Sequence, residues 1–326
     1  MRRHCLAALS AVLLASPVPA SANDSSAALS AGGLVLTKSA DVRMASEDLY
    51  ISTKEIRIRY SFVNDGPKDM ETIVAFPLPD IATGEYYESP IGTMTDDPVN
   101  FVGFTVKESG RAIPVKVEQR AFFRGKDVTA TLQGFHIPIN IIHPNVIQSL
   151  DKVSPATRKA LFAQGLAEGD KEYIAPRWTV RTKIYWTQKF PAGKSVTLEQ
   201  RYQPVVGQTF FSQYEFDPKS EGYFIKTYCM DKPTQAAARK ALEARKAAQS
   251  DMGELLFVNS VQYILKTAAN WKGPIGDFHL TLDKGKPANI LSLCFKGDLK
   301  RTAPTRFEFS AKDFAPKQDL DVLVLE

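Results

Sequence analysis

The stretch Glu55-Ile56-Arg57-Ile58-Arg59-Tyr60-Ser61-Phe62-Val63-Asn64 decides the fold. Ile56, Ile58, Tyr60 and Phe62 recur at every second position, and Arg57, Arg59 and Ser61 fill the places between them. Side chains alternate faces along a strand, so the pattern predicts a half-buried antiparallel strand with an apolar inner face and a charged outer one. Asn64-Asp65-Gly66-Pro67 then supplies turn chemistry. Met70, Thr72, Val74, Phe76 and Leu78 share one face of the next strand, which Pro77 and Pro79 terminate.

Working outward, the same rhythm places strands at 34–38, 49–52, 102–107 and 113–119, the signature of a β-sandwich over 23–136. The character changes over 137–172, read as a helical connector of low contact density. Within it Ser154-Pro155 reads as an N-cap and first helical residue, and Gly165 as the stop. Strand rhythm returns at Arg177–Gln188, and Pro191-Ala192-Gly193-Lys194 leads into Val196, Leu198 and Tyr202, which predicts a hairpin. A strand at 222–228 precedes a surface helix over 234–248, whose apolar stripe is thin. Strands at 255–258, 261–267, 277–282, 290–295, 306–310 and 320–325 complete a C-terminal β-rich domain, 173–326. No fixed repeat or low-complexity linker separates these parts.

The amino terminus has three zones. Arg2 and Arg3 are followed by an apolar run from Cys5 to Ala15, a Pro17 and Pro19 break, and then Ala20-Ser21-Ala22. This is the layout of a Sec-type signal peptide, residues 1–22, cleaved after Ala22. A retained anchor is the weaker alternative, because a bilayer span needs about 20 apolar residues. The expected location is therefore periplasmic or secreted. Loss of Arg2 and Arg3 leaves 39 of 41 basic residues against 36 acidic ones, a net charge of +3 on 304 residues. So small and scattered an excess points neither to nucleic acid nor to an anionic membrane.

Chemistry-bearing patterns are sparse. His136, His143 and His279 lack metal-ligand spacing, and His279 falls on the outer face of its strand, so no metal or cofactor is expected. Asp80, Glu85, Glu88, Asp96 and Asp97 crowd the loop 80–97 without the order of a calcium loop. Neither a nucleophile elbow nor a phosphate loop is present. Cys229 and Cys294, the two cysteines left after cleavage, form either a disulfide, which the compartment favours, or two buried thiols. Asn270-Trp271-Lys272 sets a large aromatic in a polar turn. Trp271 is either an interface anchor, with Asn270 and Lys272 beside it, or a plug over the end of the sandwich.

Several of these stretches resemble a bacterial exported family known as domain of unknown function 4424. They are Ser39–Asp65, with its Val42-Arg43-Met44-Ala45-Ser46-Glu47-Asp48-Leu49-Tyr50-Ile51, then Phe76-Pro77-Leu78-Pro79, and above all Asn270-Trp271-Lys272-Gly273-Pro274-Ile275-Gly276-Asp277-Phe278. The strand–turn–strand ending in Phe-Pro-Leu-Pro is similar, more weakly, to the vault/inter-α-trypsin-inhibitor type of sandwich. The resemblance implies immunoglobulin-like antiparallel sandwiches in a bacterial envelope, and it brings no activity or catalytic residues. Two functions are consistent with all this. One is a non-catalytic envelope module that binds a protein or a cell-wall component. The other is an envelope polysaccharide hydrolase using carboxylates of the loop 80–97.

Overall fold

The computed structural model describes residues 24–30, 33–86, 91–92, 95–144, 146–170, 172–247 and 254–326. The signal peptide expected at 1–22 lies outside them. The protein is mainly β, built from several largely antiparallel sheets.

Among the described residues an eight-stranded sheet runs Lys300–Arg301, Arg306–Phe314, Ile275–Asp283, Val42–Ser52, Ile56–Asn64, Ser195–Tyr202, Thr105–Glu108, Arg111–Ile113. Its strands pair antiparallel except Ile275–Asp283, which lies parallel to Val42–Ser52. A seven-stranded sheet is centred on Thr179–Phe190, with Met70–Pro77 and Lys116–Phe123 as its flanking partners. A five-stranded sheet gathers Val206–Phe211, Leu256–Tyr263, Ile290–Leu293, Leu320–Leu325 and Ile91–Gly92.

The alternation of the opening stretch is realised as read. Ile56, Ile58, Tyr60 and Phe62 are buried, while Arg57 and Arg59 are exposed. Phe62 meets Phe190 of the facing sheet at 5.7 Å between ring centroids, and Phe76 meets Tyr202 at 5.4 Å. One continuous apolar core therefore fills the space between the two large sheets. Burial of each such side chain stabilises the fold by about 1.5–3 kcal/mol.

The expected hairpin of 177–188 with 196–202 does not form. Thr179–Phe190 pairs with Met70–Pro77 and Lys116–Phe123, whereas Ser195–Tyr202 pairs with Ile56–Asn64 and Thr105–Glu108 in the other sheet. The connection is an arch, in which the apolar faces of the two strands cover each other across the core instead of lying side by side. The turn at 64–69 likewise carries the chain from one sheet to the other. The strand expected at 113–119 is split at Pro114, which has no N–H to give a ladder, and its halves enter different sheets. In contrast, 255–258 and 261–267 begin as one strand, Leu256–Tyr263, that gives way to a 3-10 turn over Lys266–Asn270.

The strand expected at 222–228 is instead a short helix, Tyr223–Thr227. Phe224 and Tyr228 are four residues apart, and both turn toward the small apolar cluster beneath. The surface helix is Lys232–Ala247, seated on that cluster through Ala238 and Leu242. Residue 248 lies outside the described residues. In 137–172 the helix Pro155–Ala163 has Ser154 as its N-cap, with Oγ accepting from Thr157 N at 3.1 Å, and Gly165 follows at φ +69°. The low contact density expected here is not found, because Ile137, Ile141, Ile142, Leu150, Leu161 and Leu166 are buried in the main core. Strands from 23–136 and from 173–326 share both large sheets, so these segments mark changes along the chain and not separations between sheets.

Candidate functional site

The outer face of the eight-stranded sheet carries an open groove of about 510 Å³. Register builds its floor from two cross-strand rows. The first runs Glu308, Thr281, Tyr50, Arg57, Arg201, Thr105. The second runs His279, Asp48, Arg59, Glu199, Lys107. These residues come from six strands, and each faces outward because its strand neighbours face the core. A second hollow of about 390 Å³ shares Asp48 and His279 and extends the groove along the sheet.

Charge is unevenly spread along the groove. At one end Arg57 and Arg201 both reach the Glu55 carboxylate, Arg57 at 3.4 Å. Arg59 stands 3.9 Å from Glu199. Arg57 also lies over the Tyr50 ring, 4.3 Å from its centroid, which fixes the guanidinium plane. At the other end His279 Nδ1 is 3.0 Å from Asp48 Oδ1, and its Nε2 is 3.9 Å from Glu308. The Tyr50 hydroxyl donates to Asp283 at 3.1 Å, and Arg306 pairs with the same carboxylate at 3.3 Å. Partial burial pushes the Tyr50 hydroxyl above its ordinary pKa, and the charge of Asp283 adds to this. Burial acts on Asp283 in the upward direction too, but hydrogen bonds from Gly285 N, Thr305, Tyr50 and Arg306 outweigh it and hold the carboxylate below its usual range.

The segment Asn270-Trp271-Lys272 lies elsewhere. Trp271 is only 3% exposed, so it is a core residue and offers no surface to a partner. Its ring packs 4.7 Å from Phe62 and 5.8 Å from Phe190, and its Nε1 donates to the Asp24 carbonyl at 2.6 Å. Asn270 donates to Ser25 Oγ at 3.0 Å, and Lys272 pairs with Asp65 at 3.1 Å. The segment thus closes the end of the sandwich over the first described residues. Cys229 and Cys294 are joined as a disulfide, with Cα atoms 5.0 Å apart.

His143 is buried, with Nε2 2.7 Å from the Thr95 carbonyl, while His136 is exposed at φ +57°. Among the described residues no group of three His, Cys, Asp or Glu is placed to hold a metal ion. In the loop 80–97, Asp80 is held by Arg181 at 2.9 Å and Asp97 accepts from Val99 N at 2.8 Å. Glu88 lies outside the described residues, as does the side chain of Glu85.

The sequence did show Arg57, Arg59 and His279 as outward residues. It gave no signal that Tyr50, Lys107, Glu199 and Arg201 stand beside them, because only strand pairing brings them together.

A family model described as "Domain of unknown function (DUF4424)" matches residues 22–323. Among curated proteins none matches the chain. Of solved structures, the chain is similar to a protein of Legionella pneumophila subsp. pneumophila str. Philadelphia 1 described as a "putative nutrient binding protein". The two are 15% identical with a TM-score of 0.46, over 93% of this chain and 70% of that one.

Proposed function

Since this chain belongs to the DUF4424 family, whose description assigns no activity, we propose its function from its own geometry: an exported, non-catalytic envelope module that binds an extended polar ligand along the groove. The observation that carries this reading is the groove itself, an open concavity floored by two rows of polar side chains held on rigid strands. A sheet core fixes such a surface with little reorganisation on binding.

Export is supported by the signal-like residues 1–22 and by the pairing of Cys229 with Cys294, which an oxidising compartment sustains. Among the described residues no helix is long and apolar enough to cross a membrane. The two large sheets packed across one core are the basis for reading the framework as an immunoglobulin-like sandwich.

The test uses the mature protein, immobilised and exposed to envelope extract, with bound glycans and proteins identified by mass spectrometry. A variant that fills the groove, Thr281→Trp, is the comparison. The same component should be retained by the wild type and lost by the variant, with both proteins equally folded by circular dichroism. Equal retention by the two would remove the groove from the function.

A further inference from the structure

We propose that the groove recognises an acidic glycan, a polyol chain bearing carboxylate or phosphate groups, and that the Arg57–Arg201 pair seats the anionic group. The inference rests on the groove being the binding surface and adds the chemistry of its ligand.

Arg57 and Arg201 stand directly opposite each other on adjacent strands. Like charges in that position destabilise a sheet. The one carboxylate they share, Glu55, offsets only part of this, because two guanidiniums converge on a single negative charge. The neighbouring row sets Arg59 between Asp48 and Glu199 and adds Lys107 beyond Glu199. This end of the groove therefore presents four cations, Arg57, Arg201, Arg59 and Lys107, to three anions, Glu55, Glu199 and Asp48. The guanidiniums are accessible, with side chains 54% and 72% exposed, while Glu55 sits lower at 22%. A ligand anion arriving from solvent meets the donors before it meets the carboxylate. Guanidinium forks match the geometry of carboxylate and phosphate oxygens.

The rest of the lining selects the carrier of that anion. The aliphatic side chain among the lining residues, Ile58, is 2% exposed and faces the core. An apolar peptide side chain would find no anchor there. Thr281 and Tyr50, on adjacent strands about 4.8 Å apart, instead put hydroxyls on the floor, and Thr105 adds another three strands further along, beyond the arginine pair. Hydroxyl-rich sugar units suit such a surface.

The experiment is calorimetric titration of the mature protein with oligogalacturonate, with a phosphorylated malto-oligosaccharide and with neutral malto-oligosaccharide of the same length, at low and raised salt. At least one acidic ligand should bind, more weakly at raised salt, and at least tenfold more tightly than the neutral one. The two acidic arms tell carboxylate from phosphate. Arg201→Ala should weaken acidic binding roughly tenfold, whereas Glu55→Gln, which releases both guanidiniums, should strengthen it. Lys189→Ala, on the opposite sheet, should change nothing. If Arg201→Ala fails to fold, the gain in Glu55→Gln still decides the matter. Equal affinity for acidic and neutral chains would overturn the anion assignment while keeping the groove as a binding surface. Binding of neither acidic ligand, or binding indifferent to both Arg201→Ala and Glu55→Gln, would also overturn it. The groove reading falls separately, if Thr281→Trp leaves envelope capture unchanged.

Discussion

The side-chain amide of Asn64 donates to the main-chain carbonyl of Phe190 at 2.8 Å, tying together the two arches that carry the chain between the large sheets. The same amide donates to Lys68 O at 2.8 Å, and its oxygen accepts from Gly66 N at 2.9 Å. The main-chain carbonyl of Asn64 takes the N–H of Gly193, the αL residue of the other arch, at 2.8 Å. Each arch leaves a sheet and so abandons ladder partners. Asn64, fully buried, replaces them for both at once.

Replacing this residue should therefore cost more than an ordinary loop substitution. Asn64→Asp keeps an acceptor for Gly66 N but loses the donors to Lys68 O and Phe190 O, so the buried Phe190 carbonyl loses its side-chain partner and a carboxyl takes the place of a fully buried amide. We expect a loss of about 2–4 kcal/mol, from these two changes at about 1–3 kcal/mol each. Urea unfolding followed by tryptophan fluorescence measures it. A loss within about 0.5 kcal/mol, the range of neutral surface changes, would mean that the arches do not depend on this junction.

What was legible in the sequence follows the same division between local and tertiary effects. The alternation in Glu55–Asn64 and the N-cap at Ser154 were readable because each depends on residues next to one another. The partner of Thr179–Phe190 was not, since Pro191-Ala192-Gly193-Lys194 can close a hairpin or form an arch. Burial of both apolar faces across the core decides between them. Phe224 and Tyr228 in the segment 222–228 satisfy a strand pattern in part, but the apolar cluster below rewards helical spacing. The groove was legible only in pieces. Its outward arginines are plain at 57 and 59, but Arg201 enters through a ladder with residues about 140 positions earlier in the chain, a pairing that no local pattern encodes.

Trp271 should behave as a core residue and not as a binding residue. Trp271→Ala removes a buried ring and should cost about 3–5 kcal/mol. Trp271→Phe keeps most of the packing but leaves the Asp24 carbonyl without its donor, for about 1–3 kcal/mol. Where Trp271→Phe remains folded, its affinity for groove ligands should equal that of the wild type in the same titration. A folded Trp271→Phe with binding reduced tenfold would return this residue to the functional surface.

The Cys229–Cys294 bridge spans 65 residues and fastens the start of the helical excursion to the strand Ile290–Leu293. Closing a loop of that size stabilises by about 4 kcal/mol in the chain-entropy account. Denatured, unreduced mature protein should show no free thiol on titration. Cys229→Ser with Cys294→Ser should lower the urea midpoint accordingly, and two free thiols in the wild type would exclude the bridge.

The last prediction concerns Asp24, whose side chain is fully buried and accepts from Gln200 Nε2 at 2.6 Å. Burial drives its pKa well above the ordinary 3.8, the hydrogen bond from Gln200 opposes this, and the nearby charge of Glu47 adds to the rise. Tyr60 and Tyr263 border the same cluster, their hydroxyls 3.3 Å apart, and the Tyr263 hydroxyl donates to Glu47. Burial likewise pushes both hydroxyls upward, so neither supplies a charge at neutral pH. A carboxyl whose pKa is raised by folding holds its proton more tightly in the folded state than in the unfolded one. From pH 3.8 up to its folded pKa the folded chain then binds more protons, so this group's contribution to stability falls as pH rises through that window. Carboxylates held low by their partners, such as Asp283 and Asp127, act oppositely, losing stability as pH falls. The contribution of Asp24 is isolated by difference. Asp24→Asn keeps an acceptor for Gln200 and removes the titration, so the stability of wild type minus variant should decline as pH rises above 4 and level off once pH passes the folded pKa of Asp24. Urea unfolding of both proteins across that range measures the slope. A difference that is flat, or that rises with pH, would show that Asp24 is ionised in the folded protein and held by a compensating positive charge.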